Sequence, residues 1–376
     1  MRTGGCRQPE PQALQAATND RIGLRGKMRY LTLDDGKRIS KVGLGTWQFG
    51  AEEWGYGAEY SRKEAGAIVQ RAVELGVTLF DTAEIYGAGN SERILGKALE
   101  THRDSAFIAT KFFPVVPSAW AVRQRAAASA RRLGLPSLDL YQVHWPNPLI
   151  GDAAIMRGMR SLQRSGRIGE VGVSCYSITR WLSAEESLGS RILCNQVEYS
   201  LVVRSPELAL IPFAESHGRV IIAFSPLAHG LLSGRYHGAD RPRNRMRARS
   251  ARFSSENIER TRALTGVLSE VAAAHDASVA QIALAWAIRS PAVVAIPGAA
   301  SVEQVESNAA AAEIDLADDE YQALNKVSAH FRPAESTDWS DEITLAHIKH
   351  LVKCGLHLTK TLRDDFRHRD EIAQGS

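Results

Sequence analysis

The chain has 376 residues, enough for one large domain or two ordinary ones. Hydrophobic residues make up 44% and charged residues 23%, the balance of a soluble globular protein. With 46 basic residues against 42 acidic ones, the net charge of +4 is too small to argue for nucleic acid, and no run of ~18 apolar residues offers a membrane span. The four cysteines, Cys6, Cys175, Cys194 and Cys354, have no framework spacing. They read as reduced thiols in a cytoplasmic protein.

Residues 1–27 are polar, carry Arg2, Arg7, Arg21 and Arg25, and contain no apolar stretch of the kind a secretory signal needs. A transit peptide has a loosely similar composition. A disordered leader, or an early start with Met28 as the real beginning, is the simpler reading. Residues 29–40 read as a hairpin, with Asp34-Asp35-Gly36 as its turn. Eight short apolar runs follow: Lys41–Trp47, Val77–Thr82, Ser105–Phe112, Leu138–His144, Gly169–Ser174, Leu193–Glu198, Val220–Ser225 and Val293–Pro297. Each is nearly continuous in apolar residues, as suits parallel strands buried on both faces. Helical periodicity fills segments between them, including Lys63–Leu75, Ala119–Leu133, Ala153–Ser165 and Pro206–His217. Eight such alternations predict a (β/α)8 barrel over residues 28–330. The alternative, an open doubly wound sheet, is disfavoured because no G-x-G-x-x-G turn follows the first strand.

The longest gap between strands, Ser225 to Val293, has room for two helices and an Arg-rich loop at His237–Phe253. Residues 331–376 form a tail beyond the barrel, in which Asp341–Phe366 can be drawn as an amphipathic helix weakened by Gly355. His347, His350, Cys354 and His357 share a stripe of that helix beside the apolar Ile348, Leu351, Val352 and Leu362. One straight helix cannot easily wrap a tetrahedral ion, so the stripe reads as a polar face and no metal is expected.

Four residues at the ends of these runs carry chemistry. Asp81 and Tyr86 lie at and just beyond the end of the second run, Lys111 at the end of the third and His144 at the end of the fourth. Functional groups in a barrel collect where strands end and loops begin, so this placement puts all four on one rim. An ammonium beside a tyrosine favours the phenolate and so lowers the phenol from its usual ~10. A carboxylate would hold that ammonium in place, and an imidazole can orient a polar substrate group. Taken singly, Asp81 and Lys111 could equally be a buried structural ion pair.

At these residues the chain resembles the aldo-keto reductase family. The likeness runs through Gly43-Leu44-Gly45-Thr46-Trp47, Asp81-Thr82-Ala83 leading to Tyr86-Gly87, Thr110-Lys111 and His144-Trp145-Pro146. It continues through Gly172-Val173-Ser174, Asn195-Gln196-Val197-Glu198-Tyr199, Ser225-Pro226-Leu227 and Ile296-Pro297-Gly298, in the family's order. The resemblance implies that the hairpin closes the N-terminal end of the barrel. It also implies that Tyr86 acts as general acid in reduction and base in oxidation, Lys111 tunes it, Asp81 pairs with Lys111, and His144 orients the carbonyl.

Hydride transfer needs a cofactor, because no side chain donates hydride. The resemblance implies a nicotinamide dinucleotide bound in extended form. Ser174 and Gln196 match the positions that hold the carboxamide, although Cys175 stands where relatives often have asparagine. Phe224 matches the residue stacked on the nicotinamide, Gly45 and Thr46 lie near its ribose, and Ser225, Leu227 and Gly230 approach the pyrophosphate. Gly298, Gln304 and Asn308 mark the adenosine end. There the chain departs from the pattern, with Ala300 where many relatives carry a base for the 2′-phosphate and Ser307 where they carry glutamate. NADP(H) is thus favoured on the family's pattern alone, with NAD(H) as the alternative.

Trp47 and Trp145 are expected to line an apolar pocket for a small-molecule aldehyde, ketone or sugar-like carbonyl, with Phe112, Trp54, Tyr56 and Tyr60 left open. A second reading uses the same barrel as a nucleotide-binding auxiliary subunit with the tail as its docking element.

Overall fold

The computed structural model describes residues 28–334 apart from 58–60, 148–149, 237–241, 243–246 and 249. The leader and the tail's His/Cys stripe lie outside the described residues. A two-stranded hairpin, β1 (Tyr30–Thr32) and β2 (Arg38–Ser40), opens the chain. Then come β3 (Leu44–Gly45), α1 (Arg62–Glu74), β4 (Leu79–Asp81), α2 (Asn90–Ala98), β5 (Phe107–Phe112), α3 (Ala119–Leu133) and β6 (Leu138–Val143). The alternation continues through α4 (Ala153–Arg164), β7 (Ile168–Ser174), α5 (Ile178–Leu188), β8 (Cys194–Glu198), α6 (Leu210–Ser216) and β9 (Val220–Phe224). After β9 come α7 (Ser255–Arg260), α8 (Arg262–Ala274), α9 (Val279–Ala287), β10 (Val293–Ala295), α10 (Val302–Ala310) and α11 (Asp318–Ala329).

Strands β3 to β10 are parallel and pair in sequence order. The sheet closes on itself through bridges from Val42 to Ala295 and from Gly45 to Gly298. Gly43 N donates to Ala295 O at 2.7 Å, and Ala295 N donates to Lys41 O at 2.8 Å. Closure rules out the open doubly wound sheet and leaves a (β/α)8 barrel. The strand interiors are buried on both faces, which is why they read as continuous apolar runs. One apolar cluster fills the barrel with Leu79, Phe107, Leu140, Val220 and Val294. Leu33 and Ile39 of the hairpin belong to it, so the hairpin plugs the end opposite the strand C-termini.

Several helices start at serines: Ser118, Ser177, Ser278 and Ser301 each accept an N–H from the residue three positions on. They lay apolar stripes on the sheet, as α4 does with Ile155, Met156, Met159 and Leu162. Two helical segments differ from expectation. Pro206–His217 yields α6 only from Leu210, because Ala209 leaves helical geometry at φ −151° and Glu207 is drawn aside by Arg204 and Tyr199. Among the described residues the gap after β9 holds three α-helices with given bounds, where two were expected. The Thr261 hydroxyl donates to Ile258 O at 2.7 Å between α7 and α8, a side-chain bond that competes with the helical ladder. Among the described residues no helix is long and apolar enough to cross a membrane.

Candidate active site

Strand β4 ends at Asp81, β5 carries Lys111, and His144 follows β6, so parallel register brings all three to one end of the barrel. Lys111 is fully buried, and its three ammonium hydrogens have three acceptors. Nζ donates to Asp81 Oδ1 at 2.5 Å, to Thr82 O at 2.9 Å and to Tyr86 Oη at 3.2 Å. The second oxygen of Asp81 accepts Gln196 Nε2 at 2.9 Å and Gln142 Nε2 at 3.4 Å. Gly172 makes room for this layer, because a Cβ there would lie 2.7 Å from both Gln142 Cγ and Cys194 Sγ.

Burial lowers the Lys111 ammonium, but Asp81 and Tyr86 outweigh it and hold the group above its ordinary value. Tyr86 behaves differently from the sequence expectation. Burial raises its phenol and Lys111 lowers it, with Asp81 adding to the rise, and the result lies above the ordinary ~10. Sequence reasoning counted the ammonium but not the desolvation that comes with burying the half-exposed phenol among protein atoms.

The Tyr86 loop is fixed by groups the sequence reading missed. Gly87 has φ +52°, and a Cβ there would meet Gly50 O at 2.5 Å. Buried Glu84 accepts Phe113 N at 2.7 Å and pairs with Arg125 of α3 at 2.6 Å, while its own N–H donates to Lys111 O. The loop bearing Tyr86 is thereby tied to the strand bearing Lys111. Ser91 Oγ, at the start of α2, lies 2.7 Å from Thr46 Oγ1 and 2.9 Å from Thr82 Oγ1. Glu92 accepts Thr110 Oγ1 at 2.7 Å and pairs with Arg132. Their only sequence signal was acids at apolar positions. The arginine partners lie 41 and 40 residues away, a separation no local spacing rule links.

Above these groups stands an aromatic wall. The His144 ring lies 5.6 Å from that of Tyr86, edge to face, and 6.4 Å from that of Phe113. Trp47 stands 6.3 Å from Tyr86 and 4.9 Å from Trp54. His229, from the loop after β9, joins both tryptophans at 5.9 and 5.7 Å; nothing in the sequence had singled it out. Trp145 and Tyr56 are half-buried, Phe112 is buried against Tyr141, and Tyr60 lies outside the described residues.

Apart from Gly45 and Thr46, the cofactor candidates fall into three places. Ser174 Oγ donates to Gln196 O at 2.9 Å, and Gln196 spends its Nε2 on Asp81. Cys175 sits beside them at φ +58°, where asparagine is better tolerated, and burial pushes its thiol up to about 12. Phe224 ends β9 half-buried. Beyond it Ser225, Ala228, His229 and Gly230 all have positive φ (50°, 48°, 59° and 102°). Leu227 at φ −102° preceding Ala228 gives the right-then-left alternation that turns backbone N–H groups to one side. Gly45 carries a barrel-closing bridge, and Thr46 is fully buried, its hydroxyl bonded to Asp81 O and Ser91.

At the third place, Gln304 Oε1 accepts Ala300 N at 2.9 Å and Asn308 Nδ2 donates to Gly298 O at 3.2 Å, shaping the turn before α10. Of the Arg-rich loop, Arg252 is buried in a two-pronged pair with Glu198, and Arg247 lies over Trp54 and donates to His229 O at 2.7 Å. Among the described residues no cluster of three or more His, Cys, Asp or Glu could hold a metal.

Comparison with known proteins agrees with the barrel fold. An uncharacterized oxidoreductase of Mycobacterium tuberculosis is 50% identical over 309 residues, covering 82% of this chain and 95% of its own. A methylglyoxal reductase of Escherichia coli is 32% identical, covering 77% and 90%. Among solved structures, a glycerol dehydrogenase from Gluconobacter oxydans superposes with a TM-score of 0.73 at 27% identity, over 83% of this chain and 97% of that one. An aldo/keto reductase from Klebsiella pneumoniae in complex with NADP and acetate gives 0.64 at 28% identity, over 83% and 98%. The sequence model of the Aldo/keto reductase family matches residues 41–329, more than half of the chain, and the chain belongs to that family.

Proposed function

We propose that this protein reduces carbonyl compounds to alcohols with NADP(H) as its hydride source and Tyr86 as its proton donor. The observation that carries the reading is the three-way bond of Lys111 to Asp81, Thr82 and Tyr86, which fixes one phenol under an aromatic wall. A structural ion pair has no need of a tyrosine hydroxyl on its third donor.

Bound NADPH supplies a hydride to the carbonyl carbon. The residues present fit such a group. The turn from Ser225 to Gly230, left-handed at Ser225, Ala228, His229 and Gly230, has the backbone shape of an anion cradle, in which the Ala228 and Gly230 N–H groups bond to Ser225 O and Leu227 O, and the Gln196 amide oxygen is the acceptor a carboxamide N–H needs. NADP is the cofactor in the Klebsiella structures, whereas one E. coli relative is an NADH-specific methylglyoxal reductase.

Tyr86 Oη and the His144 ring face one carbonyl oxygen and polarise it by hydrogen bonding. Tyr86 gives its proton to that oxygen as negative charge develops. Lys111 stabilises the phenolate left behind, and Asp81 keeps the ammonium charged and aimed. The wall of Trp47, Trp54 and Phe113 excludes water from the reacting groups.

The test uses NADPH carrying deuterium at both nicotinamide C4 positions with a panel of aldehydes that includes methylglyoxal. Mass spectrometry of the products should find one deuterium on the alcohol carbon. Alcohol formed without the label, or no alcohol from any aldehyde, overturns the proposal.

A further inference from the structure

Two neighbouring helices carry bases and no acids. Arg123, Arg125, Arg131 and Arg132 lie on α3, and Arg157, Arg160 and Arg164 on α4, with no aspartate or glutamate in either. Arg125, Arg132 and Arg160 turn inward and are spent, on Glu84, on Glu92, and on Ser187 O and Leu188 O of α5. Arg123, Arg131, Arg157 and Arg164 are exposed, as is Arg167 in the turn after α4. Among the described residues none of these five side chains has an ion pair or a hydrogen bond.

Helical spacing puts them on one face. Arg123 and Arg131 share a stripe of α3, and Arg157 and Arg164 a stripe of α4, each away from the buried stripes of Val122, Ala126 and Leu133 and of Ile155, Met159 and Leu162. The helices touch at Gly158, where a Cβ would meet Val122 Cβ at 2.9 Å and Ala119 Cα at 3.0 Å. The two arginine rows therefore lie side by side, each about 10–12 Å long. The chain's net charge is only +4, so this face is a local excess. Exposed acids gather elsewhere, at Glu303 on α10 and at Glu313 and Asp315 in the turn after it. Helix α10 follows β10, four strands round the closed barrel from β6, so the charge is divided between opposite sides.

Apolar side chains are exposed on the basic side. Val115, Val116 and Trp120, at 55%, 57% and 57% exposure, lead into α3, and Leu182, at 45%, stands on α5, the other neighbour of α4. The valine loop is built: Val115 N donates to Phe113 O at 2.9 Å and Ser118 N to Val116 O at 2.8 Å. Large apolar groups gathered on one side of a surface mark a contact site.

We propose that the α3–α4 face docks on the anionic surface of a lipid bilayer, with its arginines on headgroup phosphates and Trp120, Val115 and Val116 at the boundary with the acyl chains. The inference is independent of the reductase reading. The occupant follows from charge complementarity and from the two chemistries found together. A guanidinium meets phosphate with paired N–H bonds. A nucleic acid offers phosphate but no apolar layer to receive the valines. A bilayer offers both, phosphate charge in a plane and hydrocarbon beneath it, and tryptophan is favoured at that boundary. The acidic side of the barrel faces away from such a surface, which orients the molecule on approach.

The experiment sediments the full chain with vesicles of phosphatidylcholine alone and with vesicles of phosphatidylcholine and phosphatidylglycerol in equal parts. The expected result is binding to the second kind and not the first, with release near 1 M salt, where the Debye length is about 3 Å. Each arginine near such a surface is worth about fivefold in binding, so Arg123→Ser with Arg157→Ser should lower partitioning about twentyfold. Arg131→Ser with Arg164→Ser repeats the test farther along both helices. Both variants should keep the wild type's unfolding midpoint, because these side chains make no bond to lose. Brominated acyl chains should quench part of the tryptophan emission of the wild type and little of that of Trp120→Phe.

No binding to the anionic vesicles, equal binding to both kinds, or binding unchanged in both arginine variants overturns the proposal. Binding without quenching that depends on Trp120 overturns it as well. Mixed-sequence RNA that binds more tightly and displaces the vesicles gives the face to nucleic acid and overturns the lipid assignment.

Discussion

Lys111 Nζ lies 2.5 Å from Asp81 Oδ1, and both side chains are sealed from water. Neither charge is tolerable alone at that depth, so each exists only because the other does. The pair spends one more ammonium hydrogen on a backbone carbonyl and the last on Tyr86. That arrangement aims a fixed positive charge at one phenol.

Removing one partner should cost far more than removing both. Lys111→Met leaves the Asp81 carboxylate buried and unpaired, a loss of about 3–5 kcal/mol in urea denaturation. The double variant Asp81→Asn, Lys111→Met should recover most of that stability while staying inactive. Equal destabilisation of the single and double variants would contradict the coupling.

Reduction and oxidation should respond to pH in opposite senses. Burial holds the Tyr86 phenol above its ordinary value against the pull of Lys111, so the proton donor persists through ~10. The rate of carbonyl reduction is expected to stay flat from neutral pH to that point and to fall only beyond it. Alcohol oxidation needs the phenolate and should rise across the same range. Steady-state profiles in both directions check this; a reduction rate that falls between pH 6 and 8 contradicts it.

The barrel was legible because burying parallel strands on both faces writes continuous apolar runs, and the eight runs became eight strands. The gathering of Asp81, Lys111 and His144 at one end of the barrel was legible because each ends such a run. Their supports were not. Gln142, Ser91, Glu84 and Glu92 act through contacts closed only by the fold, with partners such as Arg125 and Arg132 on a helix distant in sequence. Thr46 shows the converse. Its motif points to the cofactor, yet its hydroxyl is spent beneath the site on Asp81 O and Ser91. His229 enters the aromatic wall from a loop at φ +59°, a backbone state that no residue pattern here announces.

The adenosine end gives a directed gain-of-function test. Ala300 sits in the turn before α10, where Gln304 holds its N–H and no side-chain charge is supplied. Ala300→Arg adds one guanidinium able to meet a phosphate, a bond of about 1.5–3 kcal/mol. NADPH binding, followed by tryptophan quenching, should tighten about tenfold to a hundredfold while NADH binding barely moves. Equal tightening of both would place the cofactor's adenosine elsewhere.

Lys41 offers a stability test far from the chemistry. Its Nζ donates to Ser290 O at 2.6 Å at the hairpin end of the barrel. Burial, assisted by Arg29 and opposed by Glu215, lowers the ammonium from 10.5 to about 7. The folded value lies below the unfolded one, so folding releases a proton between pH 7 and 10.5, and stability from this site rises with pH across that window. The unfolding free energy of the wild type relative to Lys41→Met should therefore grow by about 1–4 kcal/mol from pH 7 to 10. A constant difference would mean the amine keeps its charge when folded.

The central claim is that Tyr86 gives the proton, and Tyr86→Phe tests it most directly. NADPH binding to the variant, read by tryptophan quenching, should match the wild type, because the ring and its aromatic neighbours are kept. Carbonyl reduction, followed as NADPH oxidation with methylglyoxal or octanal, should fall about a hundredfold to ten-thousandfold. A variant that binds NADPH and reduces the carbonyl within about threefold of the wild-type rate would place the proton donor elsewhere and contradict the account.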